Sequence, residues 1–186
     1  MTTLLLGLLL VVLALGAWAL LVFNGLVRLR NQVRTAWADI DVQLQRRHDL
    51  VPQLVATVQG YAGHEHALLE AVTALRAQAL TQAAPAQLGK LEDALQLQLA
   101  RLFALQEAYP ALKASENFLQ LQRDLVAVEE QLQYARRFYN GAVRDYNDGT
   151  QRFPDRLVAR GFGFGGMEFF QAGEDEREPV RVELAK

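Results

Sequence analysis

The feature that most constrains this chain is an unbroken apolar run near its N-terminus. Residues 4–23, LLLGLLLVVLALGAWALLVF, contain no polar side chain, and no second run of this kind follows. As a helix rising about 1.5 Å per residue, the run would be about 30 Å long, which matches the hydrocarbon core of a bilayer. We therefore expect residues 1–23 to form a single-pass transmembrane anchor, with membrane lipid as its partner.

A cleavable signal peptide is the alternative, because residues 17–19 (AWA) fit the small-residue pattern of a cleavage site. However, the residues before the run carry no Lys or Arg, and the run continues past that site, so an uncleaved anchor is favoured. Arg28, Arg30 and Arg34 follow the run. The positive-inside rule then places the rest of the chain in the cytoplasm.

The composition excludes several classes of function. The chain has no cysteine, so it can form no disulfide, thiolate nucleophile or cysteine-ligated zinc site. Its formal net charge is -2. Residues 28–160 carry 16 Lys or Arg against 15 Asp or Glu, and residues 161–186 carry 3 against 6. Neither part is basic enough for a phosphate-binding surface, so nucleic acid is not an expected partner.

After Asn24 the apolar residues recur in alternating steps of three and four. A repeat of about 3.5 residues indicates long helices with knobs-into-holes packing, and short loops imply antiparallel neighbours. We therefore expect residues 24–160 to fold as an all-α, antiparallel up-down bundle of three to four long helices, the first continuous with the transmembrane helix. The first stripe is Leu26, Leu29, Val33, Trp37, Ile40, Leu44, Arg47, Val51, Leu54, Val58 and Tyr61; the second is Leu68, Val72, Leu75 and Ala79; the third is Leu88, Leu91, Leu95, Gln98, Leu102, Leu105 and Tyr109; the last is Phe118, Leu121, Leu125, Val128, Leu132, Ala135, Tyr139, Ala142 and Tyr146.

Pro52 lies inside the first stripe, where a proline usually kinks a helix. The stripe keeps its phase across Pro52, so we expect one bent helix, with a separate helix starting near Pro52 as the alternative. The stripes are separated by predicted breaks at Gly60 and Gly63, at Ala84-Pro85, at Tyr109-Pro110 and at Phe153-Pro154.

Arg47 is a charged residue on the first stripe, and a buried guanidinium without a partner would be strongly destabilising. Counting residues along antiparallel helices brings Arg47 level with residues 126–132 of the last helix. This window contains Glu129 and Glu130, and Glu129 adjoins the apolar stripe. We expect a structural ion pair between Arg47 and Glu129, with Gln98 of the third helix completing the hydrogen bonding.

Three further features could carry chemistry. His64 and His66 flank a carboxylate. Two residues that are two positions apart on a helix point about 200° away from each other, whereas metal-binding helices place their ligands four residues apart. The run 46–49 (RRHD) consists of helix neighbours, which should not converge on one substrate atom. The pairs Tyr139-Asn140 and Tyr146-Asn147 could serve a nucleotide, but no glycine-rich phosphate loop accompanies them, so buried tyrosines are favoured. The sequence predicts no catalytic residue, metal or cofactor.

Residues 161–186 form a Gly/Phe-rich stretch and an acidic tail, of which residues 173–186 are expected to be mobile. Exposed phenylalanines would make an apolar patch of a size that monomers avoid unless it binds something. The stretch should therefore either fold back on the bundle or contact another subunit. The candidate assembly contacts are Phe162, Phe164, Phe169 and Phe170.

The first and last helices, with the stretch after them, resemble the LemA family of bacterial membrane-anchored proteins. Where this chain has Phe23, the family often has a tyrosine. Some similar proteins also carry a lipid-modified cysteine near the N-terminus, and this chain has no cysteine. The matching residues are Phe23-Asn24, Leu26-Val27, Arg30-Asn31-Gln32-Val33, residues 36–44 (AWADIDVQL), Arg46-Arg47, Asp49-Leu50-Val51-Pro52, Gly60-Tyr61-Ala62, His64-Glu65, Tyr109-Pro110, Leu112-Lys113, Phe118-Leu119, Leu121-Gln122, Glu129, Ala135-Arg136, Tyr139-Asn140, Tyr146-Asn147 and Phe153-Pro154.

The resemblance implies a helical bundle on a one-pass anchor in the bacterial inner membrane, and it implies no reaction. The family includes a magnetosome-membrane protein, which favours a scaffolding function through a homo-oligomer or through contacts with another membrane protein. An accessory subunit that regulates a membrane enzyme, such as a protease, is the alternative. A metal-dependent hydrolase built around His64 and His66 is a third.

Overall fold

The computed structural model describes residues 1–170. The acidic tail, with its expected mobility at residues 173–186, lies outside the described residues. Within residues 1–170 every regular element is helical: α1 (Thr2–Tyr61), α2 (His66–Thr81), α3 (Pro85–Ala104) with a 3-10 turn (Leu105–Glu107), α4 (Pro110–Lys113), α5 (Glu116–Gln151) and α6 (Arg156–Gly161). The predicted all-α class is confirmed, and each predicted break falls between helices.

The described chain divides into two compact units. The first contains Met1–Asp41 and Tyr134–Glu168, and the second contains Val42–Gln133 with Phe169 and Phe170. Both α1 and α5 contribute to each unit. The N-terminal part of α1 is long and apolar enough to cross a membrane, and none of that apolar window is buried in the described chain.

In the first unit, α1 packs against α5. The indole of Trp37 meets the ring of Tyr139 edge-on, with centroids 5.3 Å apart. Nearer the N-terminus of α1, Leu29 approaches Gly149 so closely that an added Cβ would lie 3.0 Å from Leu29 Cδ1. Higher residue numbers on α1 thus face lower numbers on α5, and the two helices are antiparallel as predicted.

In the second unit, parts of α1 and α5 form a four-helix bundle with α2 and α3. Arg47 of α1 bonds Glu92 of α3, and Glu65 just after α1 bonds Tyr109 just after α3. Because residue numbers rise together along α1 and α3 between these two contacts, α1 and α3 are parallel. The helices α2 and α5 run in the opposite direction. The core consists of Val51, Leu54, Val58, Ala62, Leu69, Val72, Leu95, Leu99, Leu102, Leu112, Phe118, Leu121 and Leu125.

The last predicted stripe holds along α5, and the third holds only in part along α3. Every residue of the last predicted stripe, from Phe118 to Tyr146, is buried. On the first stripe Tyr61 is exposed, and Ala62 is buried in its place. On the third stripe Leu88, Leu95 and Leu102 are buried as predicted, but Glu92 and Leu99 are buried where Leu91 and Gln98 were expected.

Pro52 is accommodated without breaking α1, so the expectation of one helix is confirmed and that of a separate helix is wrong. Proline lacks a backbone N–H, so the carbonyl of His48, four residues earlier, loses its helical donor. Arg76 of α2 donates its Nε–H to this carbonyl at 2.7 Å. Arg76 therefore supplies the hydrogen bond that Pro52 removes.

We predict that Arg76→Met lowers the free energy of unfolding by about 2 kcal/mol, because it strands a partly buried carbonyl. In a Pro52→Ala background, residue 52 regains its N–H, so the same Arg76 substitution should cost less than half as much. The measurement is urea unfolding of the full-length protein in detergent, followed by far-UV circular dichroism. The exposed Arg101→Met is the control, and an equal cost in both backgrounds would contradict the assignment.

Candidate functional site

The most unusual side chains of the second unit are a buried arginine and a buried histidine that follow one another on α1. Arg47 lies on the apolar stripe one turn from Leu44 and Val51, and its side chain is only 1% exposed. His48 is the next residue around the helix and is also buried. The helical repeat thus directs a guanidinium and an imidazole into the bundle interior.

Glu92 of α3 receives both groups. Arg47 Nη1 donates to Glu92 Oε2 at 3.0 Å, and His48 Nε2 lies 2.8 Å from Glu92 Oε1. Burial by itself raises the pKa of Glu92, whose side chain is 0% exposed, but the hydrogen bond from His48 and the charge of Arg47 outweigh burial and hold the pKa below its ordinary value. Glu92 is therefore ionised at neutral pH, and His48 Nε2 is the donor.

The other side of the guanidinium faces α5 and the next turn of α3. Arg47 Nη2 donates to Glu129 Oε2 at 2.5 Å and to the side-chain oxygen of Gln96. Glu129 Oε1 accepts a further hydrogen bond from Gln133 at 2.6 Å. Glu129 is 19% exposed, so unlike Glu92 it retains contact with water. One guanidinium thus joins three helices.

The structure brings Arg47 and Glu129 together, at the level that the register argument gave. It does not bring Gln98 to them, since Gln98 accepts a hydrogen bond from Arg101 on the same helix. Gln96 takes the expected place. Arg47 and the following histidine bond the same carboxylate through its two different oxygens, so they do not converge on one atom.

Sequence reasoning missed Glu92. A signal for it exists, because Leu88, Glu92, Leu95, Leu99 and Leu102 follow steps of four and three as regularly as the stripe that was chosen. A carboxylate buried on such a stripe destabilises the fold unless a buried cation, here an arginine on another helix, pairs with it. Arg47 is recognisable from its position on the first stripe, whereas Glu92 is recognisable only as a partner for that buried arginine.

A second polar arrangement, in the first unit, holds the Gly/Phe-rich stretch. Asn147 of α5 donates its amide to the Met167 carbonyl at 2.9 Å and accepts from the Met167 N–H at 2.8 Å. Tyr139 donates to the Glu168 carbonyl at 2.9 Å, and burial, with the nearby charge of Glu168, raises its pKa. The two tyrosine–asparagine pairs therefore include residues that tie the stretch back to α5.

The four phenylalanines predicted as assembly contacts divide into two groups. Phe164 packs against Phe23 with ring centroids 5.5 Å apart and is buried. Phe170 is buried as well. Phe162 and Phe169 remain exposed. The stretch thus folds back on the chain, and only two of its four phenylalanines remain available to a partner.

The histidines considered for a metal site do not converge. His64 is exposed, while His66 lines an open groove of about 430 Å³ between α1 and α2. Glu65 between them accepts a hydrogen bond from the Tyr109 hydroxyl at 3.0 Å, which raises the pKa of that tyrosine. Among residues 1–170, no three histidine or acidic side chains lie close enough together to hold a metal ion.

The ionic cluster of Arg47, His48, Glu92, Gln96 and Glu129 lies between the helices that supply it. Arg47, His48 and Glu92 are buried, whereas Gln96 and Glu129 reach water. Its charges are directed at one another, and the bonds join α1 to α3 and α5. Such a cluster contributes to the choice of register more reliably than to net stability. What this arrangement can do is fix how three helices align.

We predict that Arg47→Met destabilises the protein by about 3 kcal/mol or more, because it leaves buried carboxylates without their cation. A second substitution, Glu92→Leu, should recover more of this loss than Glu129→Leu, because Glu92 is fully enclosed and Glu129 reaches water. Urea unfolding of the two double variants in detergent makes the comparison. Equal recovery would show that burial does not decide which carboxylate depends on Arg47.

The lowered pKa of Glu92 also predicts a pH dependence. A depressed pKa stabilises the folded state above the ordinary carboxylate pKa of about 4, and this contribution is lost as the pH falls through the folded-state pKa. Between pH 6 and pH 3, Glu92→Gln should therefore lose less unfolding free energy than the parent protein. The exposed Glu107→Gln is the control, and a variant slope equal to that of the parent would contradict the prediction.

Comparison with known proteins identifies the family. The LemA family model matches residues 36–184. The chain is similar to protein LemA of Metamycoplasma hominis, with 27% identity over 161 residues, which cover 84% of this chain and 72% of that protein. It is also similar to magnetosome protein MamQ 2 of Paramagnetospirillum magneticum, with 23% identity over 186 residues, 86% of this chain and 68% of the relative. Because the family model covers most of its length, the chain belongs to the LemA family.

Proposed function

We propose that this LemA-family protein is a membrane-anchored scaffold, which acts by assembling with copies of itself and by contacting other membrane proteins, without catalysis. The apolar window of α1 supports the anchor, because none of it is covered by the described chain. The likeness to magnetosome proteins supports a role at a membrane. The buried ion pair of Arg47 and Glu92 supports a structural use of these charges.

The same proposal covers location. Residues 4–23 span the inner membrane of a bacterial cell once, and the chain after Phe23 lies on the cytoplasmic side. Arg28, Arg30 and Arg34 support this orientation, because basic residues that flank a membrane span are retained in the cytoplasm.

The observation that carries the assembly proposal is a pair of exposed aromatic side chains on α5. Tyr134 and Phe138 lie one turn apart and are 62% and 49% exposed. The guanidinium of Arg137 lies 4.7 Å from the centre of the Tyr134 ring. Aromatic residues and arginine are the types enriched where proteins bind one another. We place the main contact between copies on this face, with Phe169 as a further candidate.

The position of this face suits contact between anchored copies. Tyr139, next to Phe138, packs on Trp37, which follows Phe23 by fourteen residues, or about 21 Å along α1. Every copy inserted in the same orientation presents the face at the same height above the membrane. Side-by-side copies then meet through heterologous contacts, which close into rings or extend as arrays.

We predict that the full-length protein is oligomeric at micromolar concentration in detergent, and that Tyr134→Ser with Phe138→Ser weakens assembly at least tenfold. Loss of two aromatic anchors from an interface typically has at least this effect. Light scattering coupled to size exclusion gives the mass, and Tyr61→Ser, at an exposed tyrosine on α1, is the control.

Two outcomes would redirect the proposal. A monomer at every concentration would contradict self-assembly and favour an accessory subunit, which cross-linking in membranes should then recover with an enzyme such as a protease. A stoichiometric metal in the purified protein would favour the hydrolase instead.

A further inference from the structure

The short helix α6 is held beside the end of the apolar segment of α1. Phe162, directly after α6, has its ring centroid 5.0 Å from that of Phe23, at an interplanar angle of 64°. Phe23 is the last residue of the apolar run 4–23. When that run spans a bilayer, Phe23 lies where the hydrocarbon meets the headgroups, and Phe162 lies at the same level.

The turn after α6 makes this placement specific. Gly163 has a positive φ of 73°, and the Phe164 N–H bonds the Ala159 carbonyl at 2.9 Å, while the Gly163 N–H bonds the Arg160 carbonyl. This is the glycine-terminated helix end that reverses the chain direction. It turns Phe164 back onto Phe23, with the Arg30 guanidinium 5.2 Å from the centre of the Phe164 ring. These contacts hold α6 against α1 at the point where the apolar run ends.

The outer surface of α6 is both apolar and basic. Val158 and Ala159 face inward and are buried, whereas Leu157 and Phe162 point outward, and Phe162 is 64% exposed. Leu157 precedes Phe162 by five residues, which is about 7.5 Å along the helix axis and about 140° around it, so the two side chains lie on different sides of α6. Phe153, just before the helix, is exposed as well.

The charges on this surface are mostly positive. Arg152, Arg156 and Arg160 are all exposed. The nearby Asp155 lies 3.4 Å from Arg152, and the Arg156 guanidinium lies 5.9 Å from the centre of the exposed Phe153 ring. Arginines beside exposed leucine and phenylalanine are the composition of segments that lie in the membrane interface.

We propose that α6 with Phe162 is a second membrane-binding element, in which Leu157 and Phe162 enter the headgroup–acyl boundary beside α1 while Arg156 and Arg160 bind the phosphates of anionic lipids. The proposal rests on the membrane anchoring of α1 and is independent of self-assembly. It gives Phe162 a lipid contact in place of the contact between copies that the sequence suggested. Bilayer binding at this point would fix the tilt of α1 and the height of the first unit above the surface.

The absence of native cysteine allows a direct test with single-cysteine variants of the full chain. Leu157→Cys and Phe162→Cys are labelled with an environment-sensitive fluorophore and reconstituted in phosphatidylglycerol–phosphatidylcholine vesicles. Ala38→Cys is the matched control, because Ala38 is exposed, lies outside the proposed contact face and follows Phe23 by fifteen residues, or about 22 Å along α1. Leu13→Cys reports on the anchor itself.

We expect nitroxide lipids labelled near the headgroup to quench the probes at residues 157 and 162 severalfold more than the probe at residue 38, and aqueous iodide to show the reverse order. Replacing Arg156 and Arg160 by glutamine should lower the ratio of docked to undocked α6 about fivefold for each arginine in anionic vesicles. The same substitutions should have little effect in vesicles of phosphatidylcholine alone.

Each other outcome overturns the proposal in a recognisable way. Strong iodide quenching at 157 and 162, with the Leu13 probe quenched by deep nitroxides, would show that α6 faces water although the anchor is inserted. Protection from both iodide and lipid nitroxides would show that protein, such as a second copy, covers α6. Failure of deep nitroxides to reach the Leu13 probe would instead overturn the membrane anchoring on which the proposal rests.

Discussion

The structure of the second unit depends on one buried cation, which must be met by carboxylates and hydrogen-bond acceptors. A guanidinium inside a helical bundle is tolerated only when carboxylates and hydrogen-bond acceptors meet it, and Arg47 finds Glu92, Gln96 and Glu129. Leucine-rich helices can slide past one another by a heptad with little change in apolar burial. The ionic cluster is complete in one alignment only, because its members come from three different helices. The cation therefore selects a register that hydrophobic packing leaves nearly degenerate.

The same short segment of α1 also carries Pro52, and the two features are linked through His48. The imidazole of His48 donates a hydrogen bond to Glu92. The backbone carbonyl of His48 has no helical donor because of the proline, and it accepts a hydrogen bond from Arg76. One residue thus bonds α3 through its side chain and α2 through its backbone. A proline that would weaken an isolated helix becomes a specific docking point once a neighbouring arginine occupies the freed carbonyl.

The sequence predicts α5 well and α3 poorly, for a physical reason. On α5, apolar residues alternate with charged ones, so only one face can be buried, and all nine stripe residues are. On α3, leucines at 88, 91, 95, 97, 99 and 102 support more than one phase, and Glu92 belongs to the buried one. Glu129 could be found by counting residues from the helix ends, because its helix had an unambiguous phase. The path of the Gly/Phe stretch depends on Gly163 and Asn147, whose contacts are not periodic and leave no pattern to read.

The two hydrogen bonds between Asn147 and Met167 restrict which residues can occupy position 147 much more than which can occupy position 167. The amide of Asn147 pairs with both backbone groups of residue 167, as a neighbouring β-strand would, and makes no use of the methionine side chain. Any residue with a backbone N–H can therefore satisfy these bonds at position 167, whereas position 147 needs a side chain that donates and accepts at once. Aspartate lacks the donor and leucine lacks both groups. The geometry of the segment is thus encoded on the helix it touches, and the segment itself is free to change its side chains.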